Sequence, residues 1–401
     1  MARSVRVEQQ HPLAGIDLVS LGAKSGTLFR SSTITLVGLG PHQIVPVERP
    51  DGARAAQDAL RARSGGLSGG IAFAAFPFDR TAPGELFVPD IVLGSNGLDR
   101  WVAMVDSGSI DDVIEQVRAL DGAEEPPRPG RVELRSGVSP EFWCSEVVAA
   151  AIDRLSAADL RKVVLARELI LTADAPFSIP ALVRNLADRF PLANLFAVDG
   201  FIGASPELLV SRSGRTVRAH PLAGTASRGA TAADDAHQVA DLLASTKDQS
   251  EHRITIEWLL SELLPYCSYV DAEPEPSVLT MANVHHLATL VEGVLSEPAA
   301  SVLDLVAAVH PTPAVGGDPR DDALELIDEL EGFDRGRYAG PCGWVDSEGN
   351  GEFAVSVRSA QVDGASARAC AGVGVVSASD PEAELVETQA KFQAVLAAFL
   401  G

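Results

Sequence analysis

The chain has 401 residues, 46% of them hydrophobic, enough to bury a large core in one domain or in several. Its 55 acidic side chains against 32 basic ones leave a net charge of -23, which repels phosphate backbones and anionic lipid surfaces and argues against nucleic acid and membrane as partners. An anionic small molecule is admissible only where a pocket or a metal ion reverses that field locally.

The opening stretch MARSVRVEQQHPLAG has no apolar core ahead of a small-residue cleavage site, and no run reaches the roughly 18 apolar residues of a membrane span, so the expected location is cytoplasmic. Residues 1 to about 90 alternate short apolar runs such as Ser32-Val37 with Gly/Pro turns, and Gly65-Ala75 is rich in glycine and alanine; the region reads as β-rich. The segment GAEEPPRPGR, Gly122-Arg131, is either a linker or a surface loop inside one domain. Ser139-Pro140 then opens an amphipathic helix with Trp143, Val147, Ala151, Ile152 and Leu155 on one face, and Arg161-Leu171 reads as a strand. Strand and turn signals continue through Asn194-Gly203, Leu208-Ser211 and Thr216-Ala219, before one long helical stretch from about Ala233 to Pro265. The last third offers a helix over Asp321-Leu330, strands around Cys342-Val345, Glu352-Ala360 and Ala367-Val376, and a helix from Pro381 to Phe399. Strands in hairpin-like groups between long helices favour an α+β arrangement over alternating βαβ units. The four cysteines, Cys144, Cys267, Cys342 and Cys370, form no CxxC pair and read as free buried thiols.

The chemistry-bearing residues start with the last helix. Glu384, Glu387 and Lys391 stand at i, i+3 and i+7, within about 60° of one another at roughly 100° per residue. Asp248 and Glu251 form a second acidic pair one helical turn apart. Each stripe is either a solvated face or half of an all-oxygen cage of the kind that suits Mg²⁺ and not zinc. The glycine-containing runs Pro221-Leu-Ala-Gly-Thr225, Ala339-Gly-Pro-Cys-Gly343 and Ala371-Gly-Val-Gly-Val375 are turns or places where an anion meets main-chain N–H groups; none is a P-loop or a dinucleotide fingerprint. Lys162 begins an otherwise apolar strand and Glu207 follows Ser-Pro among apolar residues. They are strand-end charges reaching water, or buried groups whose neutral forms burial favours, as a general base and a general acid require.

Nine runs occur in a recognisable order: Lys162-Val-Val-Leu-Ala-Arg, Gly203-Ala-Ser-Pro-Glu, Pro221-Leu-Ala-Gly-Thr, Lys247-Asp-xx-Glu251-His, Asn283-Val-His-His286-Leu, His310-Pro-Thr-Pro-Ala-Val-Gly-Gly317, Arg335-Gly-Arg-Tyr-Ala-Gly340, Arg358-Ser, and Ser379-Asp-Pro-xx-Glu-xx-Glu-Thr388. In these runs the chain resembles the chorismate-utilising enzymes, and among them the isochorismate synthases, strongly over residues 139–398 and loosely over the first 120. The resemblance implies one large domain over 1–401, in which antiparallel sheets pack together with helices outside and the active site lies between two related halves. It implies Mg²⁺ held by Glu251 and Glu387, with Asp248 and Glu384 nearby through water. The metal would meet the ring carboxylate of chorismate, while Arg358 and Tyr338 hold the enolpyruvyl carboxylate with main-chain N–H groups at Gly372 and Gly374. By the same likeness Lys162 is the base that activates water against C2, and Glu207 the acid that protonates the departing C4 hydroxyl. His286, Gly224, Thr225 and Lys391 match other positions beside substrate or metal.

Ammonia-using members of the family generally lack the lysine at position 162, and aminodeoxychorismate synthases place a lysine where Ala223 stands, so no glutaminase subunit is expected; a monomer is the expected state, although no residue pattern fixes it. Salicylate synthases share base and acid and differ by eliminating pyruvate; Ala314 stands where they tend to carry threonine. A non-catalytic chorismate-binding protein is the alternative of another class, and the presence of both Lys162 and Glu207 speaks against it.

Overall fold

Because Val163-Val-Leu-Ala166 is apolar at consecutive positions, a strand there has to be covered on both faces. In the computed structural model, which describes residues 3–48, 52–63, 70–104, 109–157, 160–281 and 284–400, the strand Lys162–Ala173 is buried from Lys162 through Arg167. Residues 65–69 of the glycine-rich run and Asn283 lie outside the described residues.

The strands form two antiparallel arms. One runs through Arg100–Met104, Gly84–Ser95, Thr35–Val47, Thr27–Arg30, Asn194–Val198, Phe201–Ser205, Ser359–Asp363 and Ser366–Val375 to Lys162–Ala173 and Val132–Ser136. The other runs through Ile71–Ala75, Pro341–Asp346, Gly351–Val355, Leu208–Ser213, Thr216–His220, Val291–Leu295 and Cys267–Ala272. They join where Phe73 pairs with Phe87. Leu165 and Val373 of the first arm share one buried cluster with Val210 and Phe353 of the second, so the arms cover each other's apolar faces. A separate three-stranded sheet, Leu222–Ser227, Val284–Ala288 and Ser277–Thr280, stands beside them. The expected α+β class of antiparallel sheets with outer helices describes this arrangement.

Several local expectations change. Gly122-Arg131 is a surface loop: its Glu125 pairs with Arg184, and the chain continues directly into Val132–Ser136 of the main sheet. The helix after Ser139 contains a π-segment, Trp143–Val148, between Pro140–Phe142 and Ala149–Ala157. Trp143, Val147, Ala151 and Leu155 are all buried, although a four-residue step overshoots an α-turn by about 40°; the wider π-turn takes up the excess. Three helices in the N-terminal third, Leu18–Ser25, Gly52–Arg63 and Ile110–Asp121, were not expected; the first is capped by Asp17 and ends on a left-handed Gly26. Cys267, Cys342 and Cys370 are buried free thiols, and Cys144 is half-buried. No helix is long and apolar enough to cross a membrane, among the described residues.

Two corrections matter for the site. The stretch from Ala233 to Pro265 is two helices, Ala232–Ala244 and Thr246–Leu263, because Ser245 takes an extended conformation and its hydroxyl accepts the Asp248 N–H at 3.2 Å. The stretch Glu352-Ala360 is two strands, Gly351–Val355 and Ser359–Asp363, broken by Arg358 at a left-handed φ of 56°. Replacing the cap, S245A, is expected to cost about 1 kcal/mol, read as a lowered urea midpoint at unchanged slope; an unshifted midpoint contradicts the capping role.

Candidate active site

Alternation along the lysine strand sends Lys162 and Val164 to the same side, and both line a cavity of about 240 Å³. Across the ladder Val164 pairs with Gly374 and Ala166 with Gly372, which line it too. A Cβ on Gly374 would stand 2.7 Å from Lys162 Cε and 3.1 Å from Glu251 Oε1, so the missing side chain is what lets the lysine cross the strand. The glycine strand pairs with Ser359–Asp363 only as far as Ala369, leaving that edge open at Gly372, whose carbonyl accepts from Lys391 Nζ at 2.8 Å.

Glu207 sits in the turn between Phe201–Ser205 and Leu208–Ser213 and is almost fully buried, with one carboxyl oxygen lacking any hydrogen-bond partner. Burial pushes its carboxyl up to about 8, against weaker opposing effects from the Leu222 backbone, Lys162 and Arg358. It is therefore a neutral, proton-bearing acid near neutral pH.

The carboxylates come from the two helices that the sequence pairs. Asp248 and Glu251 project from the first two turns after Ser245, and Glu384 and Glu387 from Pro381–Leu400; all four line the cavity. Glu251 accepts from the buried Lys162 ammonium at 2.5 Å, Glu387 from Lys391 at 2.7 Å, and Asp248 from the Ser245 hydroxyl at 2.5 Å. Burial pushes the Glu251 carboxyl up, but the Lys162 ammonium and its hydrogen bond outweigh that, and the net direction is down. Burial, with the like charge of Glu387 behind it, raises Glu384. As the side chains stand, no group of three or more His, Cys, Asp or Glu is close enough to grip an ion, among the described residues. The donor chemistry nevertheless fits a hard divalent cation: four carboxylates and no sulfur, with Glu384 destabilised as an anion by burial and by its neighbour.

The opposite wall suits an anion. Arg358 lines the cavity with no ion-pair partner among the described residues, and burial lowers its pKa without removing its charge. Arg358 and Ala339, the latter at φ 60°, are two of the three non-glycine residues with a left-handed backbone among the described residues, and both line the cavity. Strain of this kind, of order 1–3 kcal/mol per residue, gathers where geometry serves function. Tyr338 is buried beside them, its phenol pushed up by burial and so a hydrogen-bond donor. His286 is pushed down to about 3 by burial and by the Arg358 and Lys391 charges, so its ring is neutral; Nδ1 lies 3.0 Å from Thr225 Oγ1. Gly224, beside Thr225, has φ 81°, and a Cβ there would stand 3.1 Å from that of Asp248. Ala314 presents its methyl from the turn after His310.

Every residue given a site role from the sequence thus lines this cavity, whereas of the glycine-containing run 339–343 only Ala339 does. So do two cations given no role there, Lys247 and Arg335, which make basic and acidic lining side chains equal in number despite the -23 of the whole chain. Both stand in the runs quoted above, beside residues that were assigned, and that adjacency was the available signal. His252, from the same run as Lys247, turns away to Thr289, 2.7 Å from its Nε2.

Comparison with known proteins gives the same direction. The family described as "Chorismate binding enzyme" matches residues 93–400. Isochorismate synthase DhbC of Bacillus subtilis is 36% identical over 357 residues, covering 86% of this chain and 84% of that protein. Isochorismate synthase EntC of Escherichia coli K12 is 32% identical over 343 residues, covering 84% and 83%. The crystal structure of DhbC from Bacillus anthracis superposes with a TM-score of 0.83 at 34% identity, covering 96% of this chain and 98% of that one.

The close passage of Lys162 over Gly374 predicts that G374A melts like the parent, since only a side-chain end must give way, yet loses turnover on the order of 100-fold through displacement of the lysine. Parental kinetics in G374A would show that the lysine's place is immaterial.

Proposed function

This chain belongs to the chorismate-binding enzymes, and from that premise we propose that it is an isochorismate synthase, an isomerase that moves the hydroxyl of chorismate from C4 to C2. The observation that carries the reading is a buried lysine and a glutamic acid whose burial favours its protonated form, both on the wall of one cavity that also holds four carboxylates and Arg358, an arginine with no ion-pair partner among the described residues.

Lys162, as the neutral amine, takes a proton from water as its oxygen adds to C2. The ring double bonds shift, and Glu207 gives its proton to the C4 hydroxyl, which leaves as water. One water is consumed and one released, so substrate and product are isomers; the reaction is reversible, and a later enzyme has to draw the product off. Arg358 and Tyr338 hold the enolpyruvyl carboxylate, with the main-chain N–H groups of Gly372 and Gly374, and Arg358 supplies the charge-assisted bonds. Neutral His286, fixed by Thr225, and Gly224 shape the opposite rim, and Lys391 steadies Glu387. Mg²⁺, held by Glu251 and Glu387 with Asp248 and Glu384 through water, would neutralise the ring carboxylate when bound. Glu251 would have to exchange Lys162 for that ion, which also returns the lysine to its role as base. The reading expects a cytoplasmic monomer that works without a glutaminase partner.

Ala314 favours release of isochorismate over its conversion to salicylate, since its methyl adds no hydroxyl to the wall. Incubating the pure protein with chorismate and Mg²⁺ is expected to yield isochorismate as the main product, and K162A none; salicylate plus pyruvate, or unchanged turnover in K162A, overturns the assignment. The acid role fixes a pH dependence as well: only the protonated carboxyl donates, so turnover falls as pH rises through about 8, the value to which burial pushes Glu207. A rate still level well above that pH contradicts the assignment of the acid.

A further inference from the structure

Around Lys162 the strand's outer edge is incomplete. Gly317–Asp318 pairs only with Lys162 and Val163, and Val132–Ser136 begins only at Leu169. Between them, Val164 gives its N–H to Gly316 O at 2.8 Å, but its carbonyl and the Ala166 N–H meet no partner strand among the described residues. Buried main-chain groups of this kind need partners.

Two side chains supply them. Glu331 ends the helix Arg320–Glu331 and Arg335 follows it; their side chains are 1% and 3% exposed. Glu331 Oε1 accepts the Ala166 N–H at 2.6 Å, and Arg335 Nη2 donates to the Val164 carbonyl at 2.7 Å. Arg335 Nη1 donates to the Val315 carbonyl at 2.9 Å, beside Ala314. Its Nε donates to Glu331 Oε2 at 2.8 Å, and Nη2 also bonds Glu331 Oε1. The Phe78 ring lies 4.2 Å from its guanidinium carbon, the Phe78 carbonyl is bonded by His310 at 2.9 Å, and Tyr338 donates its own N–H to the Arg335 carbonyl at 3.1 Å.

We propose that the Glu331–Arg335 pair is a positioning device for the reaction: it stands in for the missing strand and locks the lysine strand, the Ala314-Val315 turn and the Arg335-Tyr338 turn into one frame. The proposal rests on the reading of Lys162 as base. Arg335 touches the cavity but spends at least four of its five N–H donors on the protein, whereas Arg358 has no carboxylate partner among the described residues, so the two arginines divide the work of framing and of binding an anion. Stability alone does not explain the pair, since a buried ion pair is often matched by apolar residues of similar volume. An apolar pair could not hold two carbonyls and an N–H from separate walls in register. Phe78, packed on the guanidinium, brings the N-terminal third into the same frame.

The test compares the parent with R335K, which keeps the charge but cannot reproduce the fork, and with E331Q, which keeps an acceptor for Ala166 but not the charge. Both are assayed with chorismate and Mg²⁺, alongside thermal melting and calorimetric Mg²⁺ binding. Displacing the frame by about an ångström predicts that kcat falls on the order of 100-fold, while KM for chorismate and Mg²⁺ affinity stay within about threefold in protein that remains folded. A purely structural pair would lower melting and leave the kcat of the folded protein unchanged; that result, a parallel collapse of kcat, KM and metal binding, or failure of both variants to fold, overturns the proposal. A parent that makes no isochorismate would instead sink the reading of the reaction, independently of the variants.

Discussion

The antiparallel ladder between Lys162–Ala173 and Ser366–Val375 is the constraint from which the site follows. It sets the lysine opposite a glycine that leaves room for its side chain, and it leads into the last helix, which carries Glu384, Glu387 and Lys391 back over the same face. Shifting the register by one residue would turn Lys162 and Val164 away from the cavity and bring Val163 and Leu165 into it. Burial of those two valine and leucine side chains in the core between the arms holds the register, so apolar packing places the polar chemistry.

Electrostatics then divides labour among groups of the same type. Of the five carboxyl groups lining the cavity, Glu207 is kept neutral by desolvation, whereas Glu251 is held ionised by the Lys162 ammonium despite its burial. A neutral carboxyl can give a proton and an ionised one can hold a cation, which are the two tasks the proposed reaction asks of them. The equal number of basic and acidic side chains on the wall explains how a chain of net charge -23 can admit a dianion.

Much of the candidate site's lining was legible because its residues break local rules: a lysine inside an apolar strand, a glutamate after Ser-Pro, acidic pairs one turn apart on two helices. Spacing alone could not show that those helices meet, and the resemblance over residues 139–398 supplied that expectation. The breaks at Ser245 and Arg358 each interrupt the apolar pattern: nine polar residues run from Ser245 to Arg253, and the strand alternation changes phase from Phe353, Val355 and Val357 to Ala360 and Val362. What breaks the element is a side-chain cap in one case and a left-handed φ in the other. Of the N-terminal helices, Leu18–Ser25 went unread because Val19, Leu21 and Ala23 also alternate as in a strand, whereas Ala56 with Leu60, and Val113 with Val117, are one-turn spacings that marked the other two. Glu331 and Arg335 also stand four apart, but that spacing does not show which strand edge they meet.

In the proposed reaction Glu251 and Glu387, from distant stretches, would share one divalent ion over the lysine strand. Mn²⁺ is a hard ion that these oxygen donors accept in place of Mg²⁺ and that anomalous X-ray scattering locates directly. Crystals grown with Mn²⁺ should show one anomalous peak in this cavity, bound by both carboxylates, with Lys162 released from Glu251. A peak elsewhere, or none in the cavity at saturating Mn²⁺, would contradict the account.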